Sequence, residues 1–573
     1  MRFLNDPRQT RLFDPYQLIF SEMAYQRIQD GWQGVFRHVI LELLPARELG
    51  EHFSADMGRT TKELYSMAGL ILIKEFKDWT RSDAAEAYMF HSDVQYALNL
   101  EPEQQSLCER TIERYEQLFR EDELAAGVMH TVTMRLAEVL EINVAQQRLD
   151  STHVFSDMAT FGRTRLMGVA IKRFLTQVKR HAAETYQELP EELRRRYEPS
   201  EKQLFGKTGK DADSRARLRQ QVAEDMCFLV ERFAADPAFA QRSSYQSMAL
   251  IFQQQCVVES GKVTIQAKPG GNCMQNPSDP DATYDGKKGA GYQVQITETC
   301  DPANEVQLIT SALPQTAVQS DANAVAPVLE DLEKTRLLPE EMTADTAYGS
   351  DENVQLAAGK GVELISPVSG PKTDPDRLNV DDFVVDEETK QVECCPAGQV
   401  PLHSEYAAAS GTTTATMPAA TCAACPFRKE CPIEEKRDGF QLQYTDKERR
   451  LQERRREEAT PAFQERYARR SGIESTNSGL KRRLGMGELR VRGSPSVFHS
   501  IVLKIAGWNV LRSAAAKKMR AWVAKKVAAV RRGGCFALVG TVGSGFWRFA
   551  RSEVAPVRCS IPSWPHLLPC AAA

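Results

Sequence analysis

Between Tyr467 and Lys481 the chain reads Tyr467-Ala-Arg-Arg470-Ser-Gly-Ile-Glu474-Ser-Thr-Asn-Ser-Gly-Leu-Lys481. An aromatic, a cation, a carboxylate and a second cation stand at i, i+3, i+7 and i+14. At 3.6 residues per turn those offsets return to within about 60° of one another. One helix over the stretch therefore presents all four as a single stripe. A stripe that packs against a core is apolar, and this one is not. A solvated helix face is the plain alternative, and its charges follow no fixed order. Two isolated aspartates upstream, Asp150 and Asp345, each close a strand-like run, Asn143 to Val154 and Glu341 to Asp345. Two strand ends and one helix thus deliver three acids that lie far apart in the chain.

The rest of the pattern shows an α/β core with additions. From Lys62 to Leu140 the reading is helical: Leu64, Met67, Ala68, Ile71 and Leu72 keep i, i+3, i+4, i+7, i+8 spacing. Ser82 is a candidate cap for a helix running to Leu98, and a second helix follows from Ser106 to Phe119. A helix-turn-helix and a plain helical bundle fit this segment equally. Leu166 to Ile251 is charge-rich and helical, an insertion. Pro269 to Gly291 reads as loop. Tyr292, Val294 and Ile296 alternate with polar neighbours as in a half-buried strand. Val306 to Thr310 is the next strand, followed by a helix from Ala322 to Lys334, the strand ending at Asp345, a helix from Asp351 to Lys360 and a strand at Val362–Ser366. Val497 to Leu511 reads as an amphipathic helix closing the core, and Lys517 to Arg532 as a basic helix. The glycines of Gly540-Thr-Val-Gly-Ser-Gly545 lack the Lys-Ser/Thr of a phosphate-binding loop, and the tail around them is expected to be poorly ordered.

Tyr-x2-Arg-x3-Glu-x6-Lys resembles the YREK signature of bacterial insertion-sequence transposases of the DDE class, with all four letters matching. Leu149-Asp150-Ser-Thr-His153-Val and Thr343-Ala-Asp345-Thr-Ala-Tyr348-Gly resemble the first- and second-aspartate segments of the same enzymes. The likeness spans residues 60 to 510 with gaps. It implies an RNase H-like catalytic core with a mixed five-stranded sheet, built from 141–165, 285–370 and 463–515. Around it stand an N-terminal helical, DNA-binding domain (1–140), a mainly helical insertion (166–284), a Cys-rich insertion (371–462) and a basic helix with tail (516–573).

The resemblance also implies the chemistry. Asp150, Asp345 and Glu474 would hold two Mg²⁺ (or Mn²⁺) ions, Asp150 bridging them. Such a pair activates the attacking oxygen and stabilises the leaving one in phosphodiester cleavage, and Mg²⁺ prefers carboxylate oxygens. Tyr467, Arg470 and Lys481 would contact DNA phosphates, though a packing role for Tyr467 stays open. His153, three residues from Asp150, points to the opposite face of its strand and reads as structural; Tyr348 reads as packing. The implied activity is hydrolysis at element ends and transfer of the freed 3′-hydroxyl into target DNA. The partners are double-stranded DNA, as terminal inverted repeats and target, and further copies of the chain. A decayed DNA-binding remnant and an RNase H-like nuclease without strand transfer are the alternatives.

Composition bears on partners and compartment. With 573 residues the chain is too long for one core, and at about 150 residues per domain it holds three or four. A net charge of −4 and a pI near 6.2 exclude an overall basic coat. From Lys481 to Arg532, however, fourteen Lys or Arg stand against one acid, Glu488. That block reads as a phosphate-contacting or general RNA-binding surface. The opening residues lack an apolar signal segment and no apolar run reaches 18 residues, so a cytoplasmic protein without membrane partners is expected. Cys422-Ala-Ala-Cys425, Cys431 and the upstream Cys395 offer four thiolates to one structural Zn²⁺; reduced, unliganded thiols are the other reading.

Overall fold

A computed structural model describes residues 1–7, 14–101, 106–205, 211–370, 377–436 and 439–528. The glycine-rich tail and the last residues of the basic helix lie outside the described residues.

At the centre is a mixed sheet of β1 (Gln146–Val154), β2 (Gly289–Thr299), β3 (Ile309–Thr316), β4 (Glu341–Ala344) and β5 (Glu363–Ile365), in the order β3–β2–β1–β4–β5. β2 runs antiparallel to β1 and to β3, while β4 and β5 run parallel to β1. A short sixth strand, Thr283–Asp285, pairs with the first residues of β2, inside what the sequence showed as loop. The register sets Asp150 opposite Ile296 on β2 and Leu149 beside Ala344 on β4. Asp150 and Asp345, one residue further along each strand, are therefore neighbours.

β2 is buried on both faces, where alternation suggested one. Its polar residues survive because each finds a partner, as buried polar groups must. The Glu298 carboxylate accepts from Arg148, Thr297 bonds Thr310, and Gln295 donates to Asp321.

Four helices pack on the Asp150 face of the sheet, α1 (Leu64–Phe76), α2 (Leu124–Leu140), α5 (Gly472–Arg483) and α6 (Ser494–Ser513), and two more, α3 (Asp446–Glu458) and α4 (Pro461–Ala468), precede α5 in the chain. Apolar residues of α1, α2, α5 and α6 join Tyr292, Val294 and Ile296 in one cluster. The opposite face is covered by helices Val325–Lys334 and Asp351–Gly359. α6 is not amphipathic: it packs against α1, α2 and β3, and residues from His499 to Val510 are buried on every side. A helix apolar all round belongs in a core.

Thr80, rather than Ser82, caps the helix Arg81–Phe90 through a reciprocal box with Asp83. That helix stops at Phe90 and a separate one, Ser92–Ala97, covers the rest of the stretch to Leu98; the helix expected from Ser106 starts at Glu109.

Two further units keep cores of their own. Helices Arg163–His181, Ala212–Phe233 and Ser243–Gln255 pack together with the hairpin Cys256–Ile265. The Cys-rich segment forms a four-stranded antiparallel sheet of His403–Ala407, Thr412–Met417, Glu434–Lys436 and Gly439–Thr445. Part of the basic block after Lys481 is neutralised within the fold. Lys504 is buried, and Arg490, Lys518 and Lys526 pair with Asp78, Glu141 and Glu42 of the N-terminal region. Among the described residues no helix is long and apolar enough to cross a membrane.

Candidate active site

α3 places the elements around Asp345. It has no buried residue, and it is held by its arginines. Arg450 forks onto Asp351 at 3.1 and 2.7 Å, a planar two-bond grip that lysine cannot make. Arg454 donates to the carbonyls of Gly349 and Ser366, which follow β4 and β5. Gly349 permits that crowding: a Cβ there would lie 2.4 Å from Ser366 Oγ. Ser366 Oγ in turn donates to the Asp345 carbonyl at 2.6 Å, and the Asp345 carboxylate accepts from the Ala347 N–H.

The stretch Tyr467–Lys481 is not one α-helix. α4 and α5 are joined by a 3₁₀ turn, Arg469–Ser471. The cause lies on β1. Arg148 is locked by two bonds to the buried Glu298 and donates from Nη1 to the Arg469 carbonyl at 3.0 Å. Gly472 makes room for it, since a Cβ would stand 2.0 Å from Arg148 Nη1. Thr476 on α5 donates to the second oxygen of Glu298 at 2.7 Å. A buried Arg–Glu–Thr cluster thus fixes α5 against β1 and β2.

With α5 so placed, one guanidinium meets all three acids. Arg470 Nη2 lies 3.8 Å from Asp150 and 3.7 Å from Asp345, and Nη1 lies 3.8 Å from Glu474. Charge-assisted hydrogen bonds are shorter, about 2.7–2.9 Å, so the guanidinium is held by charge without being fastened. Arg470 Nε is buried with no hydrogen-bond partner among the described residues. The carboxylates differ in access, with side-chain exposures of 16% at Asp150, 37% at Asp345 and 70% at Glu474. Burial pushes the Asp150 carboxyl up. The Arg470 charge opposes this, and the charges of Asp345 and Asp321 add to it.

Tyr467 stacks on Phe463 with centroids 5.8 Å apart. Burial raises its hydroxyl's pKa, and the carboxylates add to the shift, so it remains a donor. It lines a cavity of about 800 Å³ between α3, α4 and the Cys-rich unit. Lys481 ends up exposed on α5; burial of its stem lowers its pKa, and the Lys288 charge lowers it further. His153 is buried with its ring edge-on to Phe155, and Tyr348 donates to Gln295 at 2.6 Å.

Three neighbours were not singled out from the sequence. Asn477 donates to Asp150 at 3.2 Å; its spacing of three from Glu474 puts it on the same helix face. Lys288 reaches Ser151 from a loop 137 positions on, and Asp321 accepts from Ser151 and Gln295. No local pattern marks either.

Among the described residues no three His, Cys, Asp or Glu side chains are arranged around a common point as metal ligands. At the acids, Arg470 is the cation in their midst. The thiols of Cys395, Cys422, Cys425 and Cys431 line one cavity of about 20 Å³, unpaired, with the Gln399 N–H donating to the Cys395 sulfur at 3.4 Å. Burial raises the Cys422 pKa, and the other three thiols add to the shift.

No curated protein matches the chain. A solved piggyBac transposase synaptic complex with hairpin DNA aligns at 8% identity over 67% of this chain and 73% of that one. Its TM-score of 0.21 is too low to argue a shared fold. Residues 394–514 match the model of a family described as Transposase DDE domain. Arg470, Glu474 and Lys481 therefore lie within a segment similar to a transposase DDE domain.

Proposed function

We propose that this chain is a DDE transposase that cleaves DNA at the ends of an insertion sequence and joins the freed 3′-hydroxyl to target DNA. One observation carries the reading. Asp150, Asp345 and Glu474, from three separate parts of the chain, surround a single cationic group, and Glu474 sits in the segment that matches the transposase family. The strand order β3–β2–β1–β4–β5, with only β2 antiparallel to β1, supports an RNase H-like core.

The donor set suits Mg²⁺, which takes hard oxygen ligands, and the Arg470 guanidinium acts as a stand-in for a cation among the carboxylates. Asp150, Asp345 and Glu474 would hold two ions, which when bound supply an activated nucleophile and a stabilised leaving oxygen. The residues of the chain supply the rest. Arg470, loosely held, turns its fork to a phosphate oxygen once the carboxylates are otherwise neutralised. Lys481 and Lys288, two cations without carboxylate ion pairs among the described residues, hold the strand on the open side. The Tyr467 hydroxyl donates to phosphate while its ring keeps α4 in place. Water attacks phosphorus, the P–O3′ bond breaks, and the 3′-hydroxyl so released attacks a target phosphodiester and displaces its 3′ oxygen.

The four cysteines line one cavity without being gathered around a common point; a Zn²⁺ that drew them together would meet a soft-donor set and steady the sheet beside α3. Metal analysis of the purified chain tests this. One zinc per chain, lost together with the Cys-rich unit's protection from proteolysis on chelation, is the expected result; a zinc-free, fully folded chain refutes it. Assembly into oligomers on DNA and action in the cytoplasm complete the proposal.

For the activity itself, the assay is Mg²⁺-dependent strand cleavage and transfer on DNA from the flanks of the gene. Glu474→Gln should bind that DNA as the parent does and cut it at least about a thousandfold more slowly, a loss of about 4 kcal/mol. Cleavage without transfer in the parent would favour a nuclease.

A further inference from the structure

A second cationic site lies in the N-terminal helices, away from the acids. A cleft of about 710 Å³ opens between the chain around Phe53–Lys62 and the start of helix Glu109–Glu121. Arg59, Lys62, Arg110 and Arg114 line it, and no carboxylate does among the described residues. None of the four makes an ion pair among the described residues. This contrasts with nearby Arg81, which Glu113 and Glu116 neutralise. The Arg114 guanidinium sits 5.1 Å from the centre of the Phe53 ring, and that ring rests against Tyr115. The aromatic pair thus aims the cation while leaving its donors free. Lys62 is spent on no acid either; its amine donates to Ser106 Oγ.

Four like charges without an ion-pair partner among the described residues repel one another. Burial lowers the Lys62 pKa, and the Arg59 charge lowers it further. The positive end of helix Glu109–Glu121 adds to the same field. Arg59, Arg110 and Arg114 are open to solvent, which screens the repulsion while the cleft is empty, and an anion entering the cleft would be attracted by all four cations. The hydroxyl-bearing residues on the walls, Thr60, Thr61, Ser106 and Thr111, together with the cations, are the side-chain types that contact phosphate and sugar. Among the described residues no Asn or Gln lines the cleft to read a base edge.

We propose that this cleft seats the sugar–phosphate backbone of duplex DNA, fixing the position of the duplex without reading its sequence. The proposal rests on the chain being a DNA-processing protein, but not on the identity of its catalytic acids.

The test is binding of the full chain to a short duplex of arbitrary sequence across a salt series. Arg59→Glu and Arg110→Glu each alter an exposed side chain and should leave folding intact. Each should weaken binding about tenfold and lower the slope of log K against log salt by about one. Arg195→Glu, on an exposed pair with Glu191 in the insertion, should do neither. A second readout is alkylation of Cys108, an exposed thiol on the cleft wall, which duplex DNA should protect. Unchanged slopes with an unprotected Cys108 overturn the proposal, as does equal loss for RNA with none for duplex. Changed slopes in a chain that cleaves no flanking DNA would sustain the seat and sink the transposase reading instead.

Discussion

At the residue scale, Asp150 bears the cost of the site. Its carboxyl is buried and faces two other aspartates; a guanidinium at 3.8 Å, the Ser151 N–H and the Asn477 amide relieve it in part. Its pKa is raised in the folded chain, so the folded state binds this proton more tightly than the unfolded one. Stability is then fully present below the ordinary aspartate value and lost as pH rises through the raised one. Asp150→Asn mimics the protonated form. It should raise the melting temperature at neutral pH, on the order of 1 °C for so large a chain, and the gain should vanish in acid; calorimetry at several pH values checks both. A variant that melts lower than its parent at neutral pH would mean that Arg470 stabilises the carboxylate more than burial penalises it. The sequence carried the three acids and the four-letter stripe, because each lies in a local pattern. It did not carry the role of Arg470 as their common counter-charge. That role depends on a register between strands about two hundred residues apart.

At the element scale, the stripe is split by the Arg469–Ser471 turn, where the spacing alone implied one straight helix. Local spacing could not reveal this, because the residue that draws the Arg469 carbonyl aside, Arg148, is on β1. Short 3₁₀ segments inside helices often mark hinges, and this one separates Tyr467 from Glu474. Arg148→Met leaves the Glu298 carboxylate buried and short of its charge partner. Breaking such a pair costs about 3–5 kcal/mol, which urea denaturation will measure. The same variant should slow cleavage, since α5 loses its tether to β1. A loss of stability below about 1 kcal/mol would show that Thr476 alone satisfies Glu298.

At the scale of the whole molecule, α6 joins the sheet to the N-terminal helices. Its apolar residues are legible as a helix, but an amphipathic helix is expected to leave polar residues such as Ser500, Lys504 and Asn509 in water. Each is buried and bonded instead: Ser500 to Glu75, Asn509 to Ile309 and Thr133, and Lys504 to Asp78 and the carbonyls of Glu75 and Leu484. Partners so distant in the chain leave no trace in a single helix. Lys504→Met should cost about 3 kcal/mol, seen as a lower urea midpoint, and should loosen the N-terminal helices from the sheet, seen as faster proteolysis between α1 and α2.

The convergence of three carboxylates on one guanidinium is tested most directly by assaying cleavage of flanking DNA with Mg²⁺ for the parent and for Asp150→Asn, Asp345→Asn and Glu474→Gln. All three variants should bind the DNA and fall by at least about a thousandfold in cleavage, and the parent should fall silent without a divalent ion. Parental cleavage by any one of the three would contradict a site built from these acids.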